Sequence, residues 1–204
     1  GDPFSEILTN KSKNNIQSLN FFKTVKTSVT EGKNFNSRII NIEVEEKATG
    51  EISAGAGAGT EGGTVFFGVK ENNYLGKGLS VDANATISTE RFRGVFSVTD
   101  PNYKNSDKAV FVNLQSIEID QLKNFGYKTK KTGFEIGTSF EFLQDLNLGL
   151  STSTFAEKIE TDSTASTRQQ AQKGNYLDSF VALNLDLDKR NQKFRTSEGY
   201  RSSY

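Results

Sequence analysis

From residue 50 onward, apolar and polar side chains alternate with a period of two, in segment after segment separated by turn residues. Alternation of this period places one side-chain set on each face of a β-sheet. The first segment, 51–58, sets Ile52, Ala54, Ala56 and Ala58 against Ser53, Gly55 and Gly57. The second, 64–71, aligns Val65, Phe67 and Val69, and the third, 79–88, aligns Leu79, Val81, Ala83, Ala85 and Ile87. The fourth carries Phe92, Phe96 and Val98 opposite Arg91, Arg93 and Ser97. The fifth carries Val110, Val112 and Leu114 opposite Asn113 and Gln115, with Phe111 breaking its polar side. In the sixth, Phe134, Ile136, Phe140 and Phe142 oppose Gly133, Glu135, Gly137 and Glu141. Leu146, Leu148 and Leu150 mark a seventh, Val181, Leu183, Leu185 and Leu187 an eighth, and a ninth starts at Arg201.

The first 46 residues follow a different rhythm. Residues 11–20 have helix-forming character, with Leu8, Ile16 and Leu19 near one face and Asn20 suited to ending the helix. Two alternating segments follow, 22–29 and 38–45, with a turn at 30–33, which predicts a helix and a hairpin. So small a unit buries little apolar surface, and it reads as the tail of a larger domain. The expected division is 1–47 and 48–204.

Repeated up-and-down strands of about ten residues are the sequence sign of a membrane β-barrel. A soluble antiparallel sandwich alternates in the same way. Two features favour the barrel: strands longer than the usual five or six residues, and Asp, Glu, Arg and Asn deep within strands, as a wetted lumen permits. A mean hydropathy of −0.56 and the absence of a long apolar run leave no transmembrane helix. A polar lumen face dilutes hydropathy, so the same numbers suit a barrel.

Composition narrows the chemistry further. Lys plus Arg and Asp plus Glu are 25 each, so no net field draws the chain to nucleic acid. There is no Cys and no His, which removes thiolate chemistry, a conventional zinc site and a Ser-His-Asp hydrolase. Residues 57–62 match G-x-G-x-x-G, but a strand follows where a dinucleotide site needs a helix. The glycines read as a hairpin instead. Glu135 and Glu141, six residues apart on one strand, stand about 20 Å apart at the strand rise and read as a solvated face, as do Arg91 and Arg93. Neither a catalytic constellation nor a cofactor is expected: the chain reads as something other than an enzyme. It opens GDPFSEIL without a basic or apolar leader, and it reads as an internal piece of a longer protein.

The turns and junction carry a more specific signal. LNFFKTV at 19–25, VEEKATG at 44–50, NYLGKG at 73–78, VTDPNY at 98–103 and TSEGYR at 196–201 occur in order. The set resembles the junction between the last POTRA domain and the barrel in the BamA family of outer-membrane assembly factors. Arg195 stands where that family usually has Pro. The resemblance implies a mainly β fold: a partial α+β POTRA unit, then about eight of sixteen antiparallel transmembrane strands. It further implies an outer-membrane location, with the POTRA part in the periplasm. The implied activity is insertion of outer-membrane β-barrel proteins, with a pore or secretion transporter of the same superfamily as the alternative. Implied partners are unfolded client barrels, outer-membrane lipid and assembly lipoproteins.

In that reading the site is a strand edge. Ile52, Ser53, Ala54, Gly55, Ala56, Gly57 and Ala58 would offer backbone N–H and C=O groups to a client strand by β-augmentation. Residues 60–63, 88–90, 120–126 and 156–174 become outer loops. Residues 73–78, 100–108, 143–145 and 188–200 become inner turns.

Overall fold

The computed structural model describes residues 3–34, 37–59, 62–190 and 196–204. The first half of the expected 60–63 loop and position Arg195 lie outside them, and the second half of that loop belongs to a strand. The chain forms two compact units, Gly1–Gly50 and Glu51–Tyr204.

The first unit is a helix, α1 (Glu6–Ser18), and an antiparallel hairpin of β1 (Phe22–Glu31) and β2 (Arg38–Glu46). The helix begins earlier than the expected 11–20. Ser5 caps it, its Oγ accepting from the Leu8 N–H at 3.4 Å, and Glu6 complements the N-terminal dipole. Its end falls where the sequence suggests: Asn20 takes φ 61°, a left-handed turn that asparagine tolerates. The helix packs on β1 and buries Val25 to 5% exposure, while Ile40, Ile42 and Val44 of β2 remain open.

Among the described residues the second unit is one antiparallel meander of nine strands. They are β3 (Gly50–Gly59), β4 (Gly62–Tyr74), β5 (Leu79–Ser88), β6 (Arg91–Asp100) and β7 (Lys108–Gln121). Then come β8 (Tyr127–Leu143), β9 (Leu146–Thr161), β10 (Gly174–Asp188) and a short β11 (Arg201–Ser203). The expected count of about eight becomes eight long strands and this short ninth. The sheet is open: β3 and β11 are its two ends.

Register lines the alternation up across strands. Val69, Ala83, Phe96, Leu114 and Phe134 pair in one row. One position along, Lys70, Asp82, Ser97, Asn113, Glu135 and Ser153 pair in another, on the opposite face. Thus one face is apolar and the other polar over most of the sheet. Among the described residues of this unit no second layer covers the apolar face. Val25 and Ala165 are the only buried hydrophobic residues among those described, and Phe67, Phe134, Val181 and Leu183 stay exposed. Each such side chain gains about 1.5–3 kcal/mol when removed from water. Withdrawing a dozen or so from water is worth more than the roughly 5–15 kcal/mol net stability of a typical domain, so the face favours an apolar cover.

Three long strands, β7, β8 and β9, overrun the expected segments for a common reason. In β7 the even positions Val110, Val112 and Leu114 are apolar, but beyond Ser116 the even positions are Glu118 and Asp120, and the odd ones Ile117 and Ile119. The phase inverts without a break in the ladder, since β7 pairs β8 continuously from Lys108–Phe140 to Gln121–Tyr127. Lys128 and Lys130 of β8, and Lys158 and Glu160 of β9, occupy the same charged rim. A reading that follows one apolar phase stops at this inversion. The expected loops 120–126 and 156–174 therefore shrink to 122–126 and 162–173, and the first holds a short helix, α2 (Leu122–Phe125).

Candidate functional site

The expected site strand, β3, is the terminal strand of the sheet and pairs only with β4 among the described residues. All of its residues are exposed except Ser53, which is half-buried, and Ile52 keeps 74% of its surface. Side chains hold it to β4 weakly. The Ser53 hydroxyl donates to the Gly68 carbonyl at 3.4 Å. A Cβ at Gly55 would lie 3.6 Å from the Phe66 ring, and one at Gly57 or Gly59 would meet nothing within 4 Å. What β3 presents on its outer side is therefore backbone: the N–H and C=O of alternate residues in extended conformation, without a partner strand among the described residues.

The opposite end of the sheet is also open. β10 pairs β9 from Gly174 to Leu187, but pairs β11 only at Asp186, Leu187 and Asp188. Leu185 and Tyr204 add one further reciprocal pair of backbone bonds, each 2.9 Å. Bidentate ion pairs fix this corner: Arg201 donates to both Asp186 oxygens (2.8 and 2.9 Å), and Arg190 to both Asp188 oxygens (2.7 Å each).

The polar face carries a connected network. Ser97 Oγ donates to Asn113 Oδ1 at 2.6 Å, and Asn113 Nδ2 donates to Glu135 Oε2 at 3.1 Å. Lys131 pairs with Asp178 at 3.5 Å and stands 5.1 Å from the Phe155 ring centre. A cavity of about 420 Å³ opens on this face between Lys70, Asp82, Arg93, Asn113 and Glu135. Glu135 and Glu141 do not converge: Glu141 instead accepts from the Asp145 N–H at 2.9 Å in the β8–β9 turn. Among the described residues no three acidic groups gather as metal ligands.

Phe111 has a structural role that the alternation did not disclose. Its ring fills the space that a side chain at Gly137 would occupy, and the Phe155 ring does the same at Gly133. Each glycine on β8 is a socket for a neighbour's ring. Beyond the rim, Asp162 N–H donates to Gly126 O at 2.9 Å, tying the 162–173 loop to the β7–β8 connection and burying Ala165 to 6% exposure. The Thr164 hydroxyl and N–H both donate to the Asp162 carboxylate and hold its pKa below the ordinary value.

Comparison with known proteins bears on this sheet directly. The Omp85 superfamily domain model matches residues 73–204. A candidate outer membrane protein assembly factor of Treponema pallidum (strain Nichols) is 33% identical over 97 residues, covering 44% of this chain and 12% of that protein. The crystal structure of BamA from Haemophilus ducreyi lacking POTRA domains 1–3 superposes with a TM-score of 0.70 at 20% identity. That superposition covers 96% of this chain and 40% of the BamA chain, and it concerns the fold alone. The family match begins after β3, so the edge strand lies outside it.

Proposed function

The chain belongs to the Omp85 superfamily, and from that premise we propose that it forms part of a barrel that folds and inserts client β-barrel proteins into the outer membrane. One observation carries the reading: β3 has no strand on its outer side among the described residues, and its side chains are too small to bind it firmly to β4. An edge of this kind adds a strand by main-chain hydrogen bonding, largely independent of the sequence added. Ile52 to Ala58 are the pairing residues, and no side chain among them performs chemistry. The apolar face meets acyl chains, and the polar face is wetted. From Leu177 to Leu187, β10 spans about 34 Å at the strand rise, or about 26 Å of membrane at a 40° tilt, against the ~25 Å apolar band of such barrels.

In this reading residues 1–47 are the end of a periplasmic POTRA domain, and the remaining barrel strands come from chain beyond these residues. Unfolded outer-membrane proteins are the clients, outer-membrane lipid is the solvent, and assembly lipoproteins are further partners. An open sheet leaves two edges that hydrocarbon does not tolerate. This chain alone therefore gives no heat-modifiable, protease-resistant band in liposomes, and the appearance of one would contradict the reading.

The decisive test places single cysteines at Ala54 or Ala56 of the full-length protein and stalls a client during insertion. Crosslinks to the client strand form there and not at Ile136, in the middle of the sheet. Equal crosslinking at Ile136 removes the basis for a seam at β3. The charged cavity on the polar face supports a second reading, a transporter passing polypeptide through the lumen. Ion conductance with an exported substrate, and normal barrel assembly after depletion, would select it.

A further inference from the structure

On β7 and β8 the apolar face passes to charge across a single hydroxyl: Leu114, Ser116 and Glu118 follow one another on it, as do Phe134, Thr132 and Lys130. Directly below the inversion lies a depression of about 630 Å³, floored by Ala85, Gly94 and Ser116 and walled by Phe92, Phe96 and Phe134. That volume falls within the roughly 300–1,000 Å³ typical of small-molecule sites. The hydroxyls of Ser116 and Thr132 bond to each other at 2.8 Å, so the floor leaves no polar demand of its own.

Directly above it stands a charged row in register: Glu118 opposite Lys130, and Lys130 opposite Lys158. Like charges directly opposite on adjacent strands repel. Three carboxylates share the rim, and Lys128 takes up two of them, standing 3.0 Å from Asp120 as well as beside Glu118. Glu118 lies 2.7 Å from Lys128 and 3.6 Å from Lys130, and Glu160 pairs with Lys158. The side chains of Lys130 and Lys158 remain 55% and 59% exposed. On β8, Lys130, Thr132 and Phe134 follow one another down the same face, so the cationic pair sits at the head of the apolar hollow.

We propose that the hollow and the opposed lysines together bind one anionic membrane lipid. Its phosphate lies between Lys130 and Lys158, and one acyl chain lies in the depression. The depression is continuous with the face proposed to meet lipid, and the amphipathic order of the site matches that of the ligand. The inference rests on that face being the lipid face, and not on client insertion.

The test uses the full-length protein in detergent with phosphatidylglycerol, read by native mass spectrometry. The wild-type protein retains one phosphatidylglycerol that Lys130→Gln/Lys158→Gln loses, with about a tenfold or greater drop in occupancy at roughly 1 kcal/mol per basic residue near an anionic headgroup. Lys130→Arg/Lys158→Arg keeps it, and Gly94→Leu, which fills the hollow, loses it. Should Gly94→Leu fail to fold, Ala85→Leu fills the same floor from the neighbouring strand. Equal retention in the glutamine variant overturns the proposal. So does displacement by millimolar inorganic phosphate as effective as by added lipid, which would leave an anion site with no acyl contribution. Quenching of Leu183→Trp by brominated acyl chains reads the apolar face separately. If that quenching persists while retention is unchanged by the variants, the lipid site is lost and the membrane reading stands.

Discussion

β3 and β8 both alternate glycine with larger residues, yet the glycines do opposite things. On β8, Gly133 and Gly137 are occupied from across the sheet by the Phe155 and Phe111 rings. On β3, Gly57 and Gly59 face open space. The same residue thus locks one strand into the wall and leaves the other attached by its backbone ladder. Cross-strand side-chain pairs supply much of a sheet's cohesion. Withdrawing them at the edge leaves β3 the most weakly anchored of the long strands.

The largest expected effect comes from overfilling a socket. Gly137→Val forces a Cβ into the Phe111 ring and Ser151, and overpacking of this kind costs about 1–3 kcal/mol or more. It should lower the urea midpoint of the full-length protein or abolish its heat-modifiable form. Next, Phe111→Ala empties the same socket from the other side. Its cost should stay below the ~3–5 kcal/mol of a fully buried Phe, because the ring is only half-buried. Gly57→Val should be near neutral or stabilising, within the ~1 kcal/mol span of strand propensity, while slowing client insertion by tightening the edge. A Gly57→Val loss of stability as large as that of Gly137→Val would erase the contrast between the two strands.

The smallest effect is confined to the rim. Asp162→Ala frees the 162–166 turn and speeds amide exchange at Thr164 without disturbing the strands. The Asp162 pKa is lowered in the folded chain. Its contribution is therefore complete above the ordinary value and is lost as pH falls through the lower folded value. The variant and the wild type should differ at neutral pH and converge in strong acid.

The strands were legible because register preserves what alternation suggests. Leu114 and Phe134 oppose each other, as do Asn113 and Glu135, so a face read on one strand continues on the next. The helix end at Asn20 was legible from one residue's tolerance of positive φ. Two things were hidden. The upper halves of β7 to β9 were masked because the phase changes at Ser116 and Thr132, and a single-phase reading takes the change for a loop. The sockets were masked because Phe111 and Gly137 each look like faults in their own strands and make sense only as a pair across the ladder. The free edge of β3 stands between these cases. Small residues were visible, but only topology shows that no described strand flanks it on its outer side.

The unbroken pairing of β7 with β8 through the inversion has a mechanical consequence. A rim that shares its hydrogen-bond rungs with the wall below cannot hinge as a separate flap. Any load on Glu118 or Lys130 is transmitted as shear along the whole strand pair. A binder gripping that rim would therefore tilt or stiffen these strands as one plate.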